Sequence, residues 1–437
     1  MLQPTTTVGD TTWFTHDRFG MFIHWGLYAL AARHEWVKSR ELIDDENYQK
    51  YFDHFSPDLY DPRAWAAAAR DAGMKYVVIT AKHHEGFCLW DTQQTDYKAT
   101  NTPFGKDLLR PFVEAFRDAG LRVGFYYSLI DWHHPDFPID IYHPLRDRED
   151  VAGLNCGRDM RRYATYMREQ VRELLTNYGQ IDIIWFDFSY PGRAYRDLPG
   201  KGHADWESEQ LLALTRELQP KIIVDNRLDL PTEQADIHTP EQVQPTEWVK
   251  VAGKPVVWET CQTFSGSWGY HRDEATWKSA DQLVHMLINT VSCGGNLLMN
   301  VGPTARGAFD PRALHALQTY AAWMKLHSRA IYGCTQSEFT APSGCRFTQN
   351  GNRLYLHIYD WPFRHLHLRG LTGRIAYAQL LSDGSEVKIL EPSRATDHVH
   401  PAVSEDEIAL ELPVIKPDVV VPVIELFLSL EGVPSRP

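Results

Sequence analysis

The sequence predicts a (β/α)-barrel followed by an antiparallel β-sandwich, and three observations carry that prediction. Short apolar runs alternate with amphipathic helical patterns through the first three-quarters of the 437 residues. Nearly every run ends in polar or ionisable residues, and no G-x-G-x-x-G follows an early strand, which favours a closed barrel over a doubly wound sheet. After Ser328 the texture changes to short, partly alternating runs with turn residues between them. The boundary falls near Ala330, which gives a barrel over 1–329 and a β-domain over 330–437.

In chain order the predicted barrel strands are Phe19–Trp25, Tyr76–Thr80, Val123–Tyr127, Ile181–Phe186, Ile222–Val224, Val256–Trp258 and Leu297–Val301. Near-continuous apolar runs of this length suit parallel strands covered on both faces. The helices between them are predicted at Pro62–Ala72, Asp107–Ala119, Arg158–Tyr178, Ala204–Leu218 and Asp281–Val291. In the second of these, Leu108, Leu109, Phe112, Ala115, Phe116 and Ala119 form one face of a 3.6-residue period. Gly73, Gly120 and Gly179 each follow a helix, where a left-handed cap is expected. The β-domain is predicted from runs at Glu338–Thr340, Arg353–Tyr359, Leu366–Leu368, Ile375–Leu381, Val387–Leu390, Ile408–Leu412 and Val423–Leu428.

Composition narrows the function. The 44 basic and 57 acidic residues leave a formal charge of −13, which disfavours nucleic acid and anionic membranes as partners. The N-terminus lacks a basic and apolar leader, no apolar stretch reaches 18 residues, and six cysteines show no C-x-x-C pairing. A reduced, cytoplasmic protein is expected. The 14 tryptophans among 437 residues are a surplus. Trp25, Trp36, Trp90, Trp132, Trp185, Trp258 and Trp268 fall at or just beyond predicted strand ends, where aromatic faces could meet a sugar.

In a barrel the C-terminal strand ends converge on one mouth, where catalysis sits. The residues brought there are His24, His83, His84, Glu85, Tyr126, Tyr127, Asp187, Asp225, Asn226, Arg227, Glu259 and Asn300. His83 and His84 can serve one site only if their strand ends and turns at Glu85-Gly86, since neighbours on a regular strand face opposite ways. A barrel metallohydrolase would want His-x-His on the first strand, but His24-Trp25-Gly26 lacks the second ligand, so no metal or other cofactor is expected. There is no G-x-S-x-G elbow and no phosphate-binding loop. Paired carboxylates in an aromatic mouth remain, and they are what glycoside hydrolysis needs. One ionised carboxylate meets the anomeric carbon and a second carboxylic acid protonates the leaving oxygen. A sugar-binding barrel without chemistry is the competing reading.

At these positions the chain resembles the α-L-fucosidases of glycoside hydrolase family 29. The segments that carry the resemblance are Trp13-Phe14, Phe19–Gly26, Glu35-Trp36, Lys82–Phe87, Tyr126–Ser128, Trp185–Asp187 and Asn300–Pro303, in order along the barrel. The resemblance implies retaining hydrolysis of terminal α-L-fucose from a fucosylated oligosaccharide or glycoconjugate, without a metal. It makes Asp187 the nucleophile, with Trp185 lining the pocket. His24, Glu35, Trp36, His83 and His84 would hold the fucose, Tyr126 or Tyr127 would stand near the reacting centre, and Arg227 would approach it. Glu241, in a Thr-Pro-Glu context, resembles the acid/base, with Glu259 as the alternative.

Overall fold

The computed structural model describes residues 3–393 and 402–429. Seven parallel strands form one sheet: β1 (Phe19–Ile23), β2 (Tyr76–Lys82), β3 (Arg122–Ser128), β4 (Ile183–Asp187), β5 (Ile223–Val224), β6 (Glu259–Thr263) and β7 (Asn296–Val301), in the order β6-β7-β1-β2-β3-β4-β5. Between the outer strands β5 and β6 runs an irregular segment over 236–241. Parallel bridges join Asp225 to Ile237, His238 to Trp258 and Glu241 to Cys261. The Asp236 N–H donates to Val224 O at 2.8 Å, and the Glu259 N–H donates to His238 O at 2.9 Å. This segment curls the sheet shut. It has one buried aliphatic side chain, Ile237, and a proline that cannot donate, so it forms bridges and not a regular strand.

The strands obey a two-residue alternation. Phe22, Tyr76, Val78, Tyr126, Ile183, Trp185, Ile223 and Leu298 fill the inner core. Met21, Ile79, Val123, Phe125, Tyr127, Ile184, Phe186 and Met299 face the helical layer. That parity decides which strand-end side chains can reach the mouth. Gly20 makes room inside, since a Cβ there would lie 2.4 Å from the Tyr76 ring.

The helices of the outer layer begin where side chains cap them. Asp61 accepts the Arg63 and Ala64 N–H groups ahead of Pro62–Asp71, and Ser279 with Gln282 forms a capping box for Ala280–Ser292. Four helical expectations need correcting at their ends only, but one needs breaking. The helix predicted over 204–218 is two, His203–Trp206 and Ser208–Leu218, because Glu207 adopts φ +49° between them and pairs with Arg168.

Two strand predictions also change. Val256–Trp258 precedes β6 and does not form it: the Val256 N–H is spent on Val249 O at 3.1 Å, beside the hairpin of Lys250–Val251 and Lys254–Pro255. Glu-Thr-Cys-Gln-Thr reads as polar, yet all five residues of β6 are buried. Thr260 and Gln262 satisfy their side chains on Val243 O at 2.8 and 3.0 Å. In the β-domain the run Glu338–Thr340 is not a strand, whereas Thr335–Gln336 and Cys345–Asn350 are.

The β-domain packs a five-stranded antiparallel sheet on a three-stranded one around Phe347, Leu356, Leu368, Leu410 and Ile424. It is fastened to the barrel by Trp323, whose indole donates to Val421 O at 2.9 Å, and by Tyr359, which donates to Asn289 at 2.8 Å. Among the described residues no helix is long and apolar enough to cross a membrane.

Candidate active site

Inward parity carries His24, Tyr126, Trp185 and Asp187 to the mouth. There, with Phe22, Trp36, His83, His84, Phe188, Glu241, Cys261 and Trp268, they enclose an empty space of about 330 Å³ open to solvent.

Asp187 ends β4 with its side chain nearly buried. Its Oδ2 accepts the Tyr126 hydroxyl at 2.7 Å, and its Oδ1 accepts Arg227 Nη1 at 2.9 Å. Burial raises the carboxyl from its ordinary value to about 6; the guanidinium and the tyrosine oppose that rise without cancelling it. The same Arg227 Nη1 lies 2.9 Å from Glu241 Oε2. The two carboxylate oxygens are therefore no further apart than twice 2.9 Å, or 5.8 Å. Arg227 is itself oriented by Thr239, which accepts from its Nε at 3.1 Å and from its Nη2 at 3.1 Å, and by the Trp185 ring, whose centroid is 4.5 Å from the guanidinium carbon. Glu241 is about 40% exposed, at the upper end of the segment that closes the barrel. One carboxyl is thus dry and the other wet.

The histidines are neutral and their tautomers follow from their partners. The Asn300 amide donates its NH2 to Trp268 O at 2.6 Å, which leaves its Oδ1 to accept His24 Nδ1 at 2.7 Å. His24 Nε2 is then a bare acceptor. Ser128 gives its hydroxyl proton to Ile130 O at 2.7 Å, so the 2.6 Å contact with His84 has Nδ1 of the imidazole as donor. His84 Nε2, 3.9 Å from Asp187 Oδ2, is an acceptor as well. Burial depresses His24 to about 3 and holds His83 and His84 well below the usual value, so none carries a charge at neutral pH. Acceptors that neither attract nor repel a charge suit sugar hydroxyls.

The turn expected at Glu85-Gly86 is present. β2 ends at Lys82, and the His83 and His84 ring centroids lie 4.0 Å apart on the same side of it. Gly86 has φ +85°, and a Cβ there would sit 2.2 Å from Asp131 Oδ1. Glu85 does not enter the pocket; it accepts the Leu27 N–H at 2.9 Å and the Tyr48 hydroxyl.

Three further residues expected in the site are placed elsewhere. Tyr127 has the outward parity and donates to Gln170 at 2.8 Å in the helical layer, so Tyr126 is the tyrosine at the carboxylate. Glu35 is buried behind the wall and accepts the Gly269 N–H at 2.8 Å, bracing the loop that carries Trp268. Glu259 begins β6 and does not end it. It lies at the foot of the barrel, where it takes the Tyr76 hydroxyl, and burial raises its carboxyl to about 8. Trp36, Trp185 and Trp268 line the pocket; Trp25, Trp90 and Trp258 instead donate to Thr304, Glu173 and Cys293 away from it. Phe188 and Cys261 line the pocket with no signal in the sequence beyond adjacency to Asp187 for the former. Among the described residues no three His, Cys, Asp or Glu side chains gather as a metal site.

Residues 4–329 match the family model described as alpha-L-fucosidase. The plasma α-L-fucosidase of Rattus norvegicus is 30% identical over 390 residues, covering 80% of this chain and 77% of that protein. In three dimensions the chain is similar to α-L-fucosidase isoenzyme 1 from Paenibacillus thiaminolyticus, with a TM-score of 0.89, 46% identity and coverage of 96% and 98% of the two chains. It is also similar to a family 29 α-L-fucosidase from Bacteroides thetaiotaomicron, solved as a covalent intermediate trapped with 2-fluoro-fucosyl fluoride in a Glu-to-Gln variant. There the TM-score is 0.82 at 26% identity, over 98% of each chain. Both neighbours combine the parallel barrel with a β-sandwich, as this chain does.

Proposed function

The chain belongs to the α-L-fucosidase family and is a glycoside hydrolase, and from that premise we propose how its own residues release terminal α-L-fucose from fucosylated oligosaccharides or glycoconjugates: by two displacements, with Asp187 as nucleophile and Glu241 as acid/base. The observation that carries this reading is the single Arg227 nitrogen shared by both carboxylates, which holds Asp187 Oδ1 and Glu241 Oε2 within 5.8 Å of each other. Retaining pairs lie about 5–5.5 Å apart, while inversion needs about 6.5–9.5 Å to seat a water between carboxylate and sugar.

In the first step Asp187 attacks C1 while Glu241 gives its proton to the departing oxygen. The Tyr126 and Arg227 hydrogen bonds aim the carboxylate, and burial strips it of water. Fucosylation removes the Asp187 charge and leaves Arg227 to balance Glu241 alone. In that state Glu241 draws a proton from water, and the hydroxide displaces Asp187 from C1. His24 and His84 accept from sugar hydroxyls through Nε2, and Trp268 and Phe22 offer apolar faces to the C6 methyl. The trapped covalent intermediate of the Bacteroides relative supports a covalent first step.

The stereochemical test is direct. Proton NMR of an α-L-fucoside during the first minutes of hydrolysis is expected to record α-L-fucose before mutarotation; β-L-fucose appearing first would contradict the scheme. The pH dependence follows from the raised Asp187 carboxyl. The nucleophile must be ionised, so kcat/KM is expected to fall roughly tenfold per unit as the pH drops below about 6. In Tyr126→Phe the carboxylate loses a donor, and this acid limb moves to higher pH.

A further inference from the structure

A second cavity adjoins the first and shares Phe188 and Glu241 with it; its empty space, open to solvent, is about 770 Å³ against about 330 Å³ for the first. We propose that it is the leaving-group subsite, built to receive a neutral pyranose, with Arg193 and Asn226 as its specificity-determining residues. This rests on the reading of Glu241 as the acid.

The bond being cut lies at Glu241, on the wall between the cavities. The fucose ring occupies the side of His24 and His84, so the departing group leaves into the other side. Its size lies within the ordinary range of small-molecule pockets, about 300–1,000 Å³.

The outer wall is a built feature. The Tyr190 N–H donates to Lys201 O at 2.7 Å, and the Gly200 N–H donates to Arg193 O at 2.6 Å. At Gly200 a Cβ would fall 1.9 Å from Tyr190 O, so the two sides of this loop touch backbone to backbone. Its tip, the hairpin of Ala194–Tyr195 and Leu198–Pro199, is tied down by Tyr195, which donates to Asp147 at 2.7 Å. Phe188 is held at φ +104°, a conformation costly for an aromatic residue, and presents its ring to both cavities.

The polar groups then specify the ligand. Asn226 spends its carbonyl oxygen on the Thr239 N–H and hydroxyl, at 3.0 and 3.1 Å, which points its NH2 outward. Arg193 uses Nη1 on the Tyr142 hydroxyl, and a guanidinium has five N–H groups to distribute. Asp229 accepts the His203 N–H at 3.0 Å through Oδ2, and its other oxygen remains an acceptor on the wall. Asp229 balances Arg193 in sign and Arg227 is paired with Asp187, so the lining has no net charge to select an anion. Donors and an acceptor around an aromatic face match the hydroxyls and ring of a neutral sugar.

The test compares two leaving groups. Wild type, Arg193→Ala and Asn226→Asp are assayed on nitrophenyl α-L-fucoside and on the α-L-fucosyl disaccharide that wild type cleaves fastest from a panel of linkages. Asn226→Asp keeps the acceptor for Thr239 and replaces the outward donor with a charged oxygen, and the effect of that charge on Arg227 and the carboxylates falls on both substrates alike. Each variant is expected to lose at least about tenfold more kcat/KM on the disaccharide than on the nitrophenyl substrate. Equal losses on both substrates, or no loss on the disaccharide, would overturn the proposal alone. A wild type inactive on every α-L-fucoside would overturn the parent reading and this one with it.

Discussion

Asp187→Gly is expected to lower kcat on nitrophenyl α-L-fucoside by about 10⁴-fold or more, or roughly 5.5 kcal/mol at 1.36 kcal/mol per decade. The size follows from what is removed and what is left. Without the carboxylate there is no covalent acceptor for C1, while Tyr126, Arg227 and the neutral histidines still bind the sugar, so KM changes far less than kcat. Glycine also opens a gap where the side chain stood, against the inner wall below Trp185. Azide entering that gap attacks from the nucleophile's side and gives β-L-fucosyl azide, of inverted configuration. Residual activity above about one per cent of wild type, with no such product, would remove Asp187 from the mechanism.

The second large effect separates two glutamates. Glu241→Ala is expected to cost about 10²–10⁴-fold on a fucosyl disaccharide, the usual worth of a general acid, and much less on a nitrophenyl fucoside, whose leaving group needs little protonation. Added azide replaces the base-activated water and yields α-L-fucosyl azide, of retained configuration. Glu259→Gln is expected to leave kcat within about threefold. The Glu259 carboxyl is raised to about 8, so at neutral pH it is already uncharged and glutamine copies its shape. Glu259→Ala has a different signature: it strips the Tyr76 hydroxyl of its partner in the inner core and opens a void. Thermal unfolding should report a loss of about 2–4 kcal/mol without azide rescue. The reverse pattern, azide rescue at 259 and none at 241, would exchange their roles.

These two residues also mark where the sequence was and was not legible. The place of Asp187 in the pocket is legible because a lone carboxylate ends an otherwise apolar buried strand, and the alternation that fills β4 points it inward. The same parity, applied to β3, separates Tyr126 from Tyr127 without coordinates. Phe22 on β1 and His24 just past its end follow it too. Glu259, the alternative acid/base, reads as a strand end because the apolar residues Val256–Trp258 precede the strand and the strand itself reads as polar. A displacement of a few residues exchanged the mouth of the barrel for its foot. The 236–241 segment that closes the barrel was invisible for a related reason: a single buried aliphatic side chain and a proline carry no strand signal. Glu35 could not be told from a ligand by spacing, since its role is set by the Gly269 N–H, 234 residues away. The second cavity depends on loop closure, which no local pattern encodes.

The central claim is that Asp187 becomes covalently fucosylated. The most direct test is to incubate the enzyme with 2-fluoro-fucosyl fluoride, whose fluorine slows the second step, then digest it and sequence the labelled peptide by mass spectrometry. The account predicts one added fluorofucosyl group, carried by the peptide Ile183–Phe188 on Asp187 and lost in Asp187→Gly. A label on any other carboxylate would contradict it.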